Sequence, residues 1–174
     1  MTYLKCAFLF GLFTLVSSCA FIYDSELLNN TSPIVKQILT NKLCHKCQLA
    51  NIDLSDLDLR GVDLSGSNLI NANFENSNLS GANLSYTVLK NANMNNAKLF
   101  SINLRGSDLR GVNLIDVRLA GADLRDTNMT DIDSDDQLDL MELTGVRLEG
   151  ARFKDNIVCG SYPPKGGWGC VIRP

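Results

Sequence analysis

"DLRGVDLSGSNLINANF", residues 58–74, decides the fold. Its large apolar residues Leu59, Leu64, Leu69 and Phe74 fall five apart. A half-buried strand repeats its apolar residues every two positions, and a helix every three or four. Five fits neither. The spacing runs unbroken from Leu49 to Met129, seventeen positions in all, of which fourteen are Leu and the rest are Phe74, Met94 and Met129. The segment is an array of short repeats.

The other columns say which way side chains point. Two places before each Leu stand small, β-branched or other uncharged residues such as Ile52, Val62, Ala72, Ala82, Ala92 and Val112. One place before it, thirteen of seventeen are Asp or Asn. The two places after it carry Ser, Arg, Gly, Asn and Asp, which suit water. A unit of five cannot bury its Leu alone, so units must wind about a shared axis and stack. Small inward residues and Gly or Asn at the bends suit one sharp turn per unit. Four units per coil bring parallel neighbours about 4.8 Å apart.

With "GANLS", "GADLR", "NANFE" and "NANMN" the sequence resembles the pentapeptide-repeat family, whose units read A(D/N)Lxx. The resemblance covers residues 47–130 without a gap and 141–160 in a shifted frame. It implies an all-β fold, a right-handed quadrilateral β-helix (a solenoid) with the central Leu or Phe and the small residue inward. It also implies a scaffold or binding surface. Val88 and Arg118 depart from the Asp/Asn column, and Leu57 fills a place usually kept small. Ile70, Phe100 and Ile115 take outward places. Stacking sets Arg105 over Arg125, with Arg110 in the next unit, a modest basic spot on a solvated face.

The ends differ. "MTYLKCAFLFGLFTLVSSCA", residues 1–20, has one charge at Lys5, an apolar run and then small residues, the order of a secretory signal peptide. "VSSC" at 16–19 resembles a bacterial lipobox that would place lipid on Cys19, and Ala20 after it favours the outer membrane. "SCA" at 18–20 would instead serve ordinary signal peptidase and release the chain to the periplasm. Residues 20–46 form a tether and an N-terminal capping helix, with Ser32 as N-cap, Pro33 in the first turn and an apolar face of Ile34, Val35, Ile38 and Leu39. Residues 47–130 are the β-helix, 131–140 an acidic loop, 141–160 a further coil, and 161–174 a Pro- and Gly-rich cap.

An exported chain with Cys44, Cys47, Cys159 and Cys170 left after cleavage reads as two disulfides, Cys44–Cys47 and Cys159–Cys170. "LCHKC" also admits a redox pair or half a zinc site, but Cys44, His45 and Cys47 supply three ligands at best where zinc needs four. "DIDSDDQLDLME", residues 131–142, puts Asp131, Asp133, Asp135, Asp139 and Glu142 at calcium-loop spacing. Asp136 stands where that loop needs Gly, so a solvated loop is the simpler reading.

A balance of 16 Lys and Arg against 19 Asp and Glu offers no basic face for nucleic acid. One His, one Trp and no nucleophile set beside a base argue against an enzyme and require no cofactor. The sequence therefore predicts an exported, non-enzymatic scaffold with a protein partner and a membrane anchor. Two alternatives come from other classes: a DNA-mimicking topoisomerase binder, and a thiol oxidoreductase using Cys44 and Cys47. The mimic needs an acidic rod in the cytoplasm, whereas residues 48–130 hold seven basic and nine acidic side chains behind a signal segment.

Overall fold

The computed structural model describes residues 32–132, 145–153, 157–159 and 170–172. Helix α1, Pro33–Asn41, opens with Pro in its first turn, where its missing N–H costs nothing. Ser32 is the N-cap, but its hydroxyl makes no cap bond; its carbonyl accepts from Lys36 N at 3.0 Å. Lys42 ends the helix in the left-handed conformation. Val35, Ile38 and Leu39 are buried, which sets this face against the coils of the same compact unit.

The coils begin earlier than residue 47. Leu43 pairs in parallel with Asp63, so "LCHKC" is part of the first coil and Cys44 occupies a Leu position. From there every fifth residue pairs with one twenty residues on, as in Asp53↔Asn73↔Asn93↔Asn113. Leu54 N donates to Asn73 O at 2.8 Å and Asn73 N donates to Ile52 O at 2.9 Å, the pattern repeated from coil to coil. The central residues from Cys44 to Met129 are all buried, and so are most of the small ones two places before them. Leu57 is half-buried in the first coil, where the stack ends and a larger residue has room.

Each unit bends the chain at one place. From Lys46 to Asp126, every fifth residue has φ between 53° and 73°. It is the third residue of a turn such as Leu49–Ile52, closed by Ile52 N donating to Leu49 O at 3.2 Å. Positive φ at that place is the mark of a type II turn, and Gly, Asn and Asp tolerate it best. Tyr86 adopts it too, at φ 58°. Its ring lies against the next coil at Gly106, where an added Cβ would come 2.6 Å from the ring.

After Asn128 the ladder changes. Asp123 pairs with Arg147 and Asn128 with Arg152, a spacing of 24 that accommodates four extra residues. Strands β1 (Asn128–Met129) and β2 (Arg152–Phe153) are parallel. Strand β3 (Ile157–Cys159) then pairs antiparallel with β2, and β4 (Cys170–Ile172) antiparallel with β3. Among the described residues of the expected coil at 141–160, those from 145 to Phe153 follow the ladder, and β3 departs from it. The link from β2 to β3 is too short for a crossover, and a short link can only reverse the strand. Cys159 is disulfide-bonded, and its partner in the backbone register is Cys170.

Two substitution pairs test this architecture. Leu104→Asp places a charge in the dry column and should cost several kcal/mol, on the order of 3 or more, whereas Arg105→Asp on the surface should cost under about 1 kcal/mol. Equal losses in urea unfolding would mean that the inward and outward columns are misassigned. Gly61→Ala meets open space and pays only for its φ of +65°, about 1 kcal/mol. Gly106→Ala should cost more, and the excess should vanish once Tyr86 is replaced by Ser. An excess that survives Tyr86→Ser contradicts the ring's placement.

Candidate functional site

The outer surface is organised by the Asp/Asn column. Each side chain accepts from the backbone N–H two residues on, as Asp53 does from Ser55 at 3.1 Å. Most of the asparagines also donate their amide to the coil below: Asn73 to Asp53 at 3.1 Å, Asn93 to Asn73 at 3.2 Å and Asn113 to Asn93 at 3.4 Å. A second ladder joins Asn83 to Asp63 at 3.2 Å and Asn103 to Asn83 at 3.1 Å. Val88, with no such donor, interrupts a third and is left exposed.

Where the unit reads Asp-Leu-Arg, the arginine folds back over its own aspartate. Arg60 grips Asp58 through two bonds of 2.8 and 2.6 Å, and Arg110 grips Asp108 with the same distances. Arg125 does the same to Asp123. These arginine bonds hold the carboxyls of Asp58, Asp108 and Asp123 below the usual carboxylate range. At Asp63 burial works upward, but bonds from Ser65 and Asn83 and the nearby His45 outweigh it, so its pKa is also lowered.

The expected basic spot is in fact a balanced network. Arg105 Nε lies 3.2 Å from Asp126, Arg147 lies 3.6 Å from Asp123, and Arg125 lies 3.8 Å from Glu149. Arg105, Arg125, Asp126, Glu149 and Gly150 line an open hollow of about 430 Å³. Carboxylates two residues before an arginine, or one coil above it, cancel the charge that stacking alone would concentrate. Ile70 and Phe100 are half-buried and Ile115 is exposed, each in a different unit of the coil, so they form no shared patch.

At the first coil Cys44 and Cys47 are joined by a disulfide. Cys44 is 4% exposed within the central column, while Cys47 is half-buried at the rim. Both sulfurs are committed, which removes them as zinc ligands in this state. A redox pair would need attack on Cys47 to expel a Cys44 thiolate into apolar surroundings, where it is disfavoured. Beside them His45 Nδ1 meets Ser65 Oγ at 2.6 Å, and Ser65 Oγ donates to Asp63 at 2.6 Å. Three triad residue types are present in the wrong order. The serine proton points to the carboxylate, so the imidazole is not placed to take it.

A set of buried hydroxyls does not stand out in the sequence columns. Ser67, Ser77, Thr87, Ser107 and Thr127 are all at most 1% exposed, at the inward place usually held by Ala. Each bonds a turn carbonyl, as Ser77 does to Phe74 O at 2.7 Å. Four of the five fall twenty residues apart, a signal that was readable once the coil length was known. Among the described residues no group of three or more His, Cys, Asp or Glu is placed to hold a metal. Asp131 is exposed at the end of the described coil; Asp133, Asp135, Asp139, Glu142 and Cys19 lie outside the described residues.

The family model for pentapeptide repeats matches eight copies at residues 47–85 and 92–131. The chain is a pentapeptide-repeat protein. Its coils form a right-handed β-helix, as the likeness to one solved member of the family indicates. The crystal structure of alr5209, a pentapeptide repeat protein from Nostoc Pcc 7120, is similar at 26% identity and TM-score 0.54, over 68% of this chain and 96% of that one. Rfr23 from the cyanobacterium Cyanothece 51142 is similar at 23% identity and TM-score 0.34, over 76% and 98%. QnrB1, a plasmid-mediated fluoroquinolone resistance protein, gives 12% identity and TM-score 0.29, over 65% and 82%. No curated protein matches the sequence.

The lowered carboxyls give this pentapeptide-repeat protein a pH-dependent stability. A group whose folded pKa lies below its unfolded value adds stability above about pH 4 that is lost as pH falls through the folded value. The melting temperature should therefore drop as pH falls below about 4, and Asp108→Asn with Asp123→Asn should make the drop shallower. A profile that the double substitution leaves unchanged would remove these aspartates as its cause.

Proposed function

We propose that this chain is an exported, non-enzymatic scaffold whose outer faces bind a protein partner at the bacterial envelope. One observation carries the reading: the central column from Leu49 to Met129 is filled, which leaves function to the outside of the coil. In this reading the four units of each twenty-residue coil make the four sides of a square. Residues 1–19 direct export, lipid on Cys19 anchors the chain to the outer membrane, and residues 20–31 are the tether. Several acyl chains at one terminus give stable attachment where one would be marginal.

Cys19→Ser should move the protein from the membrane to the soluble periplasmic fraction and abolish palmitate labelling. If the unaltered protein is already soluble and begins at Phe21, signal peptidase made the cut and the anchor is wrong. The partner is tested by crosslinking tagged protein in intact cells, with four variants that each reverse the charges on one face. Capture lost for one face and kept for the others, with circular dichroism unchanged, supports a binding scaffold. Equal capture by all four, or none by the unaltered chain, argues against it.

A further inference from the structure

The first coil is held differently from those above it. At most turns the inward residue donates its N–H to the preceding central carbonyl, as Ala92 does to Leu89 at 2.8 Å. The turn from Cys44 to Cys47 has no such bond, because Ser67 of the next coil takes both groups. Cys47 N donates to Ser67 Oγ at 2.9 Å, and Ser67 Oγ donates to Cys44 O at 2.9 Å. The same insertion recurs at residues 84–87, where Ser107 Oγ donates to Leu84 O at 2.7 Å and accepts from Thr87 N at 3.2 Å. There Thr87 spans the turn with its own hydroxyl, 2.7 Å from Leu84 O, and coils lie on both sides. The first turn has a coil on one side only, and the bond that spans it directly is the disulfide.

We propose that the Cys44–Cys47 disulfide is a redox latch: its reduction by a dithiol frees α1 and residues 43–62 from the rest of the solenoid. A thiolate of the reductant attacks Cys47 Sγ, the half-buried sulfur; the S–S bond breaks, and Cys44 leaves as a thiolate and takes a proton. The second thiolate of the reductant attacks the mixed disulfide and releases Cys47, which takes the other proton. The reductant becomes a disulfide, and the protein has gained two electrons and two protons. While the coil is closed, Cys44 would have to leave into the leucine column, where a thiolate is disfavoured. Reduction therefore proceeds through frayed coils, and each reduced coil is harder to close again. The opened end presents the backbone groups of Asp63, Asn68, Asn73 and Asn78 that had bonded to residues 42–59, an unpaired parallel edge.

Hydrogen exchange of the full chain, read by mass spectrometry with and without a phosphine reductant, tests the latch. Reduction should speed exchange at the amides of Leu49, Asn51 and Leu54 by about tenfold or more and leave Leu84 to Leu109 unchanged. Cys47→Ser should show the same first-coil exchange with no reductant, which separates this disulfide from the one at Cys159. The latch is overturned by unchanged first-coil exchange, by a rise under phosphine that Cys47→Ser does not reproduce, or by a rise along every coil.

Discussion

Everything in this molecule depends on one left-handed residue in every five. That residue turns the backbone through a corner, and because it recurs at constant spacing, coils of twenty residues lie in register. Register then fixes all else. It stacks leucine on leucine inside and asparagine on asparagine outside, and it pairs the backbone groups not used within the turns with the coil above or below. A residue inserted within a unit would turn every later side chain toward the wrong side. Four extra residues stand before Arg147, and beyond them the pairing of Asp123 with Arg147 restores the register.

Much of this was legible in the sequence, because a large apolar residue at every fifth place has few structural solutions. The inward and outward columns, the bends and the cap helix with its Pro33 start follow from composition by column. The start of the solenoid was harder to see, since Cys44 stands where the pattern calls for leucine and Leu43 where it calls for Asp or Asn. Counting back five from Leu49 would have found it. The C-terminal strands were not legible for a different reason. Whether β3 runs with or against β2 depends on the length of chain between them, not on the side chains within them.

The arginines show the same limit at the surface. Arg105, Arg125 and Arg110 are adjacent in a stacking diagram and suggest a positive spot. Their charge is cancelled by Asp126, Asp123 and Asp108, through contacts that need the coil register and the side-chain geometry together. At the first coil, Cys44, His45, Ser65 and Asp63 offer the residue types of two chemistries. Burial of one sulfur and the direction of one hydroxyl argue against catalysis by either in the closed coil. Residue type is read from sequence, whereas the direction of a proton is not.

The asparagine ladders run one way. Asn113, Asn93 and Asn73 each give their amide hydrogens toward the N-terminal coil, and the last acceptor is the carboxylate of Asp53. The second ladder ends likewise at Asp63. Side-chain amides aligned in this way add their dipoles along the solenoid axis, as peptide groups do along a helix, and the positive end of each row faces an aspartate. The rod is thus electrically polar beyond its formal charges. A duplicated coil of asparagines can be spliced into the middle of such a row without disturbing it, and in these two rows the bottom place is taken by a residue that only accepts.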